Sequence, residues 1–207
     1  MRLAVMMLAG VLLFSPATTC AQDEGEGDAA LADELAVERM GQRGERYAEG
    51  MWLLSYGIGS IVAGGVIAAV GHEDPFWLWA GLGSAAWGAI NLWFGLPMMD
   101  LGGGNAREIE AQRSLRGDAL DDRREDLASE QYGAAGVLAF NGGLDVFYIA
   151  TGIFLAVVGA ELLDTRSPEL AGYGVAMAAQ GLGLLAFDVF GWIRAQDRGH
   201  RLQRLDR

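Results

Sequence analysis

Apolar positions in this chain gather into four long runs separated by polar stretches, and few polar residues interrupt them. Met51–Val70 carries no charge over twenty residues. At 1.5 Å of rise per residue, that is enough helix to cross a hydrocarbon layer of roughly 30 Å. Phe76–Leu96 is a second charge-free run. Ala135–Ala160 is a third, broken only by Asp145, and Leu170–Ile193 a fourth, broken only by Asp188. Unpaired backbone amides are costly in lipid, so runs of this length predict helices and not open strands. Short polar turns at Gly71–Pro75 and Asp164–Pro168 join the runs in pairs. The pattern predicts an all-α membrane four-helix bundle, built as two antiparallel helical hairpins with extramembrane helical extensions.

The polar stretches fill in the domain plan. Residues 22–50 form an acidic extramembrane segment in which Leu31, Leu35 and Met40 are spaced loosely for a surface helix. Residues 51–96 are the first hairpin, 97–134 an extramembrane helical linker, 135–193 the second hairpin and 194–207 a basic tail that continues the fourth helix. In the linker, Asn105 followed by Glu108 has the spacing of a helix N-cap and its partner. Ile109, Leu120 and Leu127 give it only a thin apolar stripe, which predicts a helix on a wet surface. Trp52, Trp77, Trp79, Trp93 and Trp192 fall near span ends, as interfacial tryptophans do, and only Trp87 lies deeper.

Composition sharpens this in two respects. Lysine is absent, and the net charge of −12 leaves no basic surface able to neutralise phosphates, which excludes nucleic acid as a partner. At the N-terminus, Arg2 precedes an apolar run from Leu3 to Phe14, too short to span and the size of a signal-peptide core. Thr19 and Ala21 suit positions −3 and −1 of a cleavage site, so residues 1–21 are expected to be a signal peptide. Cys20 is the single cysteine, so no intrachain disulfide forms. A leader ahead of an Ala-, Gly- and Arg-rich chain points to a multi-pass protein of the bacterial inner membrane.

The leader conflicts with the distribution of charge. Both chain ends and the linker lie on one side of the membrane, called here the wet side. That side holds Arg39, Arg43, Arg46, five Arg from Arg107 to Arg124 and five from Arg194 to Arg207, against Arg166 alone opposite. The positive-inside rule places such a side in the cytoplasm, whereas a leader places it in the periplasm. The linker arginines are interleaved with acids on a segment compatible with export, so the expectation is periplasmic N- and C-termini.

The polar side chains within the runs carry the candidate chemistry. Asn91 and Asp188 each sit five residues in from the wet end, roughly 7 Å below it, as does Tyr56, and Asp145 sits ten residues in, roughly 15 Å below it. Asn141, Asp145, Tyr148 and Gly152 recur at helical spacing and share one face. Ser84, Trp87 and Asn91 share another, while Gln180, Gly181 and Asp188 lie in a broader stripe. Ionisable groups in a membrane face the bundle interior. Tyr56, Asn91, Asn141, Asp145, Tyr148 and Asp188 are therefore expected to form a polar cluster, with Ser84 and Gln180 as secondary mid-span polar residues. With no cation at that depth, two nearby carboxylates require that one hold a proton or that the pair hold a cation. All-oxygen ligands suit a proton or a hard cation and not zinc, and no other cofactor is expected. The alternative is structural: both aspartates lie within three turns of the interface, where they serve as polar glue between helices.

Other signals are weaker. Gly57, Ser60 and Gly64, with Gly81, Ala85, Ala156 and Ala160, are small residues that let helices approach closely. Ser84 has no histidine within reach, since His72 lies in the opposite turn and His200 in the tail, so no nucleophile–base pair is built.

Asn141, Gly142, Gly143, Leu144, Asp145, Val146 and Tyr148 form a recognisable run. Together with Gln180–Gly181, Phe187–Asp188, Trp87–Asn91 and Gly50–Met51, it resembles an uncharacterised bacterial family of four-span membrane proteins, a domain of unknown function. The resemblance covers about Arg46 to Trp192. It implies the fold and a recurring Asn–Asp–Tyr face and Phe–Asp pair, and brings no activity, substrate or cofactor. Two functions follow as expectations. One is a proton- or cation-responsive membrane protein acting through the Asp/Asn/Tyr cluster. The other is a structural or assembly protein that binds a partner, a second copy or another protein, through its extramembrane helices and Arg-rich tail. An enzyme is the least supported class.

Overall fold

The computed structural model describes residues 17–99, 101, 104–162 and 167–205. The apolar run Leu3–Phe14, and with it most of the expected signal peptide, lies outside the described residues. So does the side chain of Asn105, the expected N-cap. The described residues are all-helical, with five α-helices among them: α1 Ala17–Val70, α2 Pro75–Gly95, α3 Gly104–Gln112, α4 Asp118–Val157 and α5 Pro168–Gln203. A 3-10 turn, Leu96–Met99, follows α2, and a π-helical turn, Val158–Leu162, ends α4.

Local chemistry accounts for where the helices begin. Asp74 caps α2 by accepting the Phe76 N–H at 2.9 Å, and Pro75 occupies a first-turn position where no N–H is needed. Ser167 and Pro168 repeat the device at α5, with the Leu170 N–H donating to Ser167 Oγ at 3.4 Å. The helices do not stop where hydropathy falls. α1 has 54 residues, about 80 Å of helix, which is long enough to cross one hydrocarbon thickness and extend well beyond it. α4, with 40 residues, and α5, with 36, do the same. The polar segment, the second part of the linker (118–134) and the tail are thus extensions of the apolar helices, because no proline separates one part from the other there, whereas Pro97 and the glycines at 102–104 set the first part of the linker apart.

α1, α4 and α5 are long and apolar enough to cross a membrane. α2 is charge-free over 21 residues but is not among them. Its tryptophans (Trp77, Trp79, Trp87, Trp93) and glycines (Gly81, Gly83, Gly88, Gly95) contribute little hydropathy.

The two ends of the bundle are built on opposite plans. In the apolar part the large side chains point outward: Val62, Trp93, Phe140, Phe147 and Phe190 are all at least 60% exposed. Small residues fill the interior, and the helices meet backbone to backbone. A Cβ on Gly57 would stand 2.6 Å from the Gly88 carbonyl oxygen, and one on Gly152 would stand 2.6 Å from that of Gly174. The small-residue positions read in the sequence therefore pack within the chain: Gly64 meets Gly81 and Ala85, and Gly174 meets Ala156. α1 pairs with α2 and α4 with α5, and α2 against α5 joins the two hairpins.

At the wet end the plan inverts into that of a water-soluble protein. Leu31, Leu35, Leu120, Leu127 and Leu202 are buried to 2% exposure or less and form one core with Ala32 and Ala128. The thin stripes on the polar segment and the linker are not isolated surface faces. Three helices, α1, α4 and α5, each contribute part of a shared core. Ile109 on α3 is buried too.

Ion pairs knit the rim of this core. Arg39 on α1 binds Glu108 of α3 at 2.9 Å and Glu130 of α4 at 2.7 Å, and Arg123 also pairs with Glu108. Burial pushes the Glu108 carboxyl up, but the hydrogen bonds and charges of Arg39 and Arg123 outweigh it and hold the group below its ordinary value. A depressed carboxylate stabilises the fold above its unfolded value and loses that contribution as pH falls through the folded one. Acid is therefore expected to loosen the wet end. In thermal melts, Glu108→Gln should flatten the acid limb of stability without changing the alkaline limb.

Arg198 of α5 is only 4% exposed. It donates to the Glu38 carbonyl oxygen at 2.9 Å and to Glu45 Oε1 at 2.7 Å, both on α1. Arg201 reaches Glu38 as well, at 3.3 Å. Replacing Arg198 with glutamine removes a buried charge from facing acids and is expected to cost about 1–3 kcal/mol in a thermal or denaturant melt.

Candidate functional site

The face Asn141–Asp145–Tyr148–Gly152 of α4 is divided between contact with α5 and partial exposure. Gly152 and Asp145 are buried, while Asn141 and Tyr148 are half-buried. Antiparallel packing brings Gly181 of α5 against α4, where a Cβ would stand 3.1 Å from the Asp145 carbonyl oxygen, and a Cβ on Gly142 of α4 would stand 4.0 Å from the Asp188 Cβ. The close approach at Gly181 brings the two helices together beside the two carboxyls. Asp145 and Asp188 lie within hydrogen-bonding range of each other. Both are buried, at 3% and 5% exposure, and Oδ2 of Asp145 has no hydrogen-bond partner among the described residues. No group of three or more metal-ligating side chains occurs among the described residues.

The other expected members of the cluster separate from this pair. Asn91 of α2 donates to Gln180 Oε1 of α5 at 3.4 Å, and Gln180 Nε2 donates to Ser60 Oγ of α1 at 3.1 Å. All three residues are buried, and this triad ties three helices together at mid-depth. Tyr56 of α1 donates to the Ala179 carbonyl oxygen at 3.4 Å, its ring lying over Gly183. Trp52 stacks on Tyr56 at 5.0 Å and on Phe187 at 5.1 Å between ring centroids. Tyr148 of α4 meets Trp87 of α2 edge-on at 5.2 Å. Ser84 is half-buried on α2. The contacts thus resolve into a carboxyl pair, a Ser–Gln–Asn triad and an aromatic layer.

A model of a family of unknown function (DUF6992) matches residues 52–189. The chain belongs to that family. No curated protein and no solved structure shows a significant match to it. The DUF6992 region begins at Trp52 and ends one residue past Asp188, so the carboxyl pair, the triad and Tyr56 all fall inside it. The arginine clamp at Arg198 and most of the wet-end core fall outside.

Sequence reasoning missed two residues, one inside the matched region and one just before it. Ser60 reads as a small packing residue, and only the partner on α5 reveals its polar role. Glu49 lies two residues before the first charge-free run and so outside any search of the spans. Its carboxylate nevertheless reaches α5: a Cβ on Gly191 would stand 3.7 Å from Glu49 Oε1. Burial, followed by repulsion from Glu45, pushes the Glu49 carboxyl up against the opposing pull of Arg194, Arg46 and Arg198.

Chemically, two carboxyls in contact share one proton, since a hydrogen bond between them needs a donor. Loss of that proton places two negative charges together in a weakly polar interior, where they repel strongly. The pair can therefore exist in two states that differ by one proton, or by a cation taken in its place.

Proposed function

We propose that this chain crosses the bacterial inner membrane four times, α2 included, and that protons or a hard cation set its state through Asp145 and Asp188. The supporting observation is the contact between two buried carboxyls on facing helices. A fourth crossing is favoured by α2, which lacks charge, buries only small residues and Asn91, and packs along α1 and α5. The wet end is assigned to the periplasm on the strength of the leader. With four short spans, any conduction would be a property of an oligomer; the response itself needs only the pair.

Thermal stability of the purified protein across pH and added cations tests this reading, with Asp145→Asn, Asp188→Asn and the double variant alongside. A pH- or cation-dependent stabilisation present in wild type and absent in the double variant is expected. The same dependence in both would overturn it.

A second reading, assembly with a protein partner, is favoured by one feature. Val37, Met40 and Tyr47 share an outward face of α1 beyond the apolar run and are 55%, 43% and 48% exposed. The Arg-rich tail supports this reading less than its composition suggests, because Arg198 and Arg201 are engaged within the chain.

A further inference from the structure

A groove of about 360 Å³ opens between α1 and α5 where the wet end meets the apolar part. Glu49, Trp52, Phe187, Phe190, Gly191 and Arg194 line it. Glu49 is the acid of that groove, and it is placed by two neighbours. Four residues earlier on the same face of α1, Glu45 is held by Arg198 at 2.7 Å. Across the groove, Gly191 leaves room for the Glu49 side chain, and Leu138 of α4 packs against it, 3.1 Å from where a Cβ on Gly191 would stand. Asp188 lies one helical turn deeper than Gly191 on α5, close enough for the charge of Glu49 to act on it. Beyond Asp188 stands Asp145, whose buried Oδ2 has no hydrogen-bond partner among the described residues.

From this ladder we infer that the ligand of the pair is a proton, and that Glu49 is the residue that passes it between the wet groove and Asp188. The inference rests on the reading of Asp145 and Asp188 given above and adds the identity of the ligand and its route. A hard cation is held by about six or more oxygens, and no group of three or more acidic, histidine or cysteine side chains occurs among the described residues. A shared proton needs only the two carboxyls, which lie within hydrogen-bonding range of each other. The transfer balances simply. A protonated Glu49 gives its proton, directly or through groove water, to the carboxylate of Asp188, which shares it with Asp145. Glu49 is left as a carboxylate and takes a proton from water in the groove; the reverse sequence empties the pair. The charged and titratable groups facing this route are Glu45 and Arg46 on α1, Arg194 and Arg198 on α5, and Asp145 on α4.

Infrared difference spectroscopy of the full chain in lipid nanodiscs, after a pH jump, follows the C=O stretch of protonated carboxyls. The band belonging to the pair is defined as the one that Asp145→Asn/Asp188→Asn removes. In Glu49→Gln that band should persist at equilibrium, but its appearance and loss should slow by about tenfold or more, as expected on removal of a proton-transfer group. Gly191→Val, which keeps every carboxyl and fills the point where Glu49 meets α5, should slow it likewise, and it decides the matter if Glu49→Gln fails to fold. A pair band that responds in both variants as fast as in wild type overturns the route while leaving the pair intact. Absence of any pair band in wild type overturns the underlying reading instead. A wild-type band abolished by added sodium, potassium or magnesium at constant pH would overturn the proton as the ligand.

Discussion

Gly57→Leu is expected to lower stability by about 3 kcal/mol or more, whereas Gly59→Leu, two residues away, leaves it nearly unchanged. Gly57 lies where α1 and α2 meet backbone to backbone. A Cβ there would stand 2.6 Å from the Gly88 carbonyl oxygen and 3.1 Å from the Leu92 N and Cγ. Neither helix backbone can yield locally, so a larger side chain must prise the hairpin apart. Separation would also pull Asn91 and Ser60 from their shared partner Gln180, adding the cost of buried polar groups left unpaired. A Cβ on Gly59 meets nothing within 4 Å, so a leucine there only adds apolar surface to the outside of α1. Thermal melts of the two variants in one detergent provide the comparison, because the inserted residue and the helix are the same. Equal loss in both would mean that the interior is not close-packed at Gly57.

The second large effect concerns the sign of the pH dependence. A carboxyl pair that keeps its proton in the fold costs stability as pH rises above the ordinary carboxylate range, where the unfolded chain ionises, until the pair itself ionises and the loss levels off, so the wild-type melting temperature is expected to fall with rising pH across that window. Asparagine at both positions keeps the shape and a hydrogen bond without requiring a proton. Asp145→Asn/Asp188→Asn should therefore melt with little dependence on alkaline pH, and at high pH it should be at least as stable as wild type. This follows from the general finding that replacing buried charges with neutral groups of similar shape is neutral or stabilising, while leaving one charge uncompensated is costly. The opposing acid limb comes from Glu108 and its arginines, so Glu108→Gln and the double asparagine variant should flatten opposite ends of the same curve.

The sequence makes some of this legible and hides the rest for definable reasons. Helices over the four apolar runs follow from length and lack of charge, and the burial of Asp145, Asp188, Asn91 and Gln180 follows from their place on faces rich in small residues. Which of these residues meet is a different matter. Asn91 and Asp145 both lie in the wet half of their runs, which suggests one pocket. Side-chain reach and helix rotation instead give Asn91 to Gln180 and turn Asp145 to Asp188. The wet-end core was less accessible still. Leu31, Leu35, Leu120, Leu127 and Leu202 come from three helices that each show only a few apolar positions among many charges. No single stripe looks like a core, and its existence depends on their convergence. Glu49 escapes notice because a hydropathy boundary separates it from the residues it faces across the groove.

The account depends most on the state of the two aspartates, and infrared spectroscopy of the protein in lipid at neutral pH reads that state directly. A protonated-carboxyl band that is present in wild type and removed by Asp145→Asn/Asp188→Asn is the expected result. A wild-type spectrum identical to that of the double variant in this region at every pH would contradict the claim that the pair holds a proton.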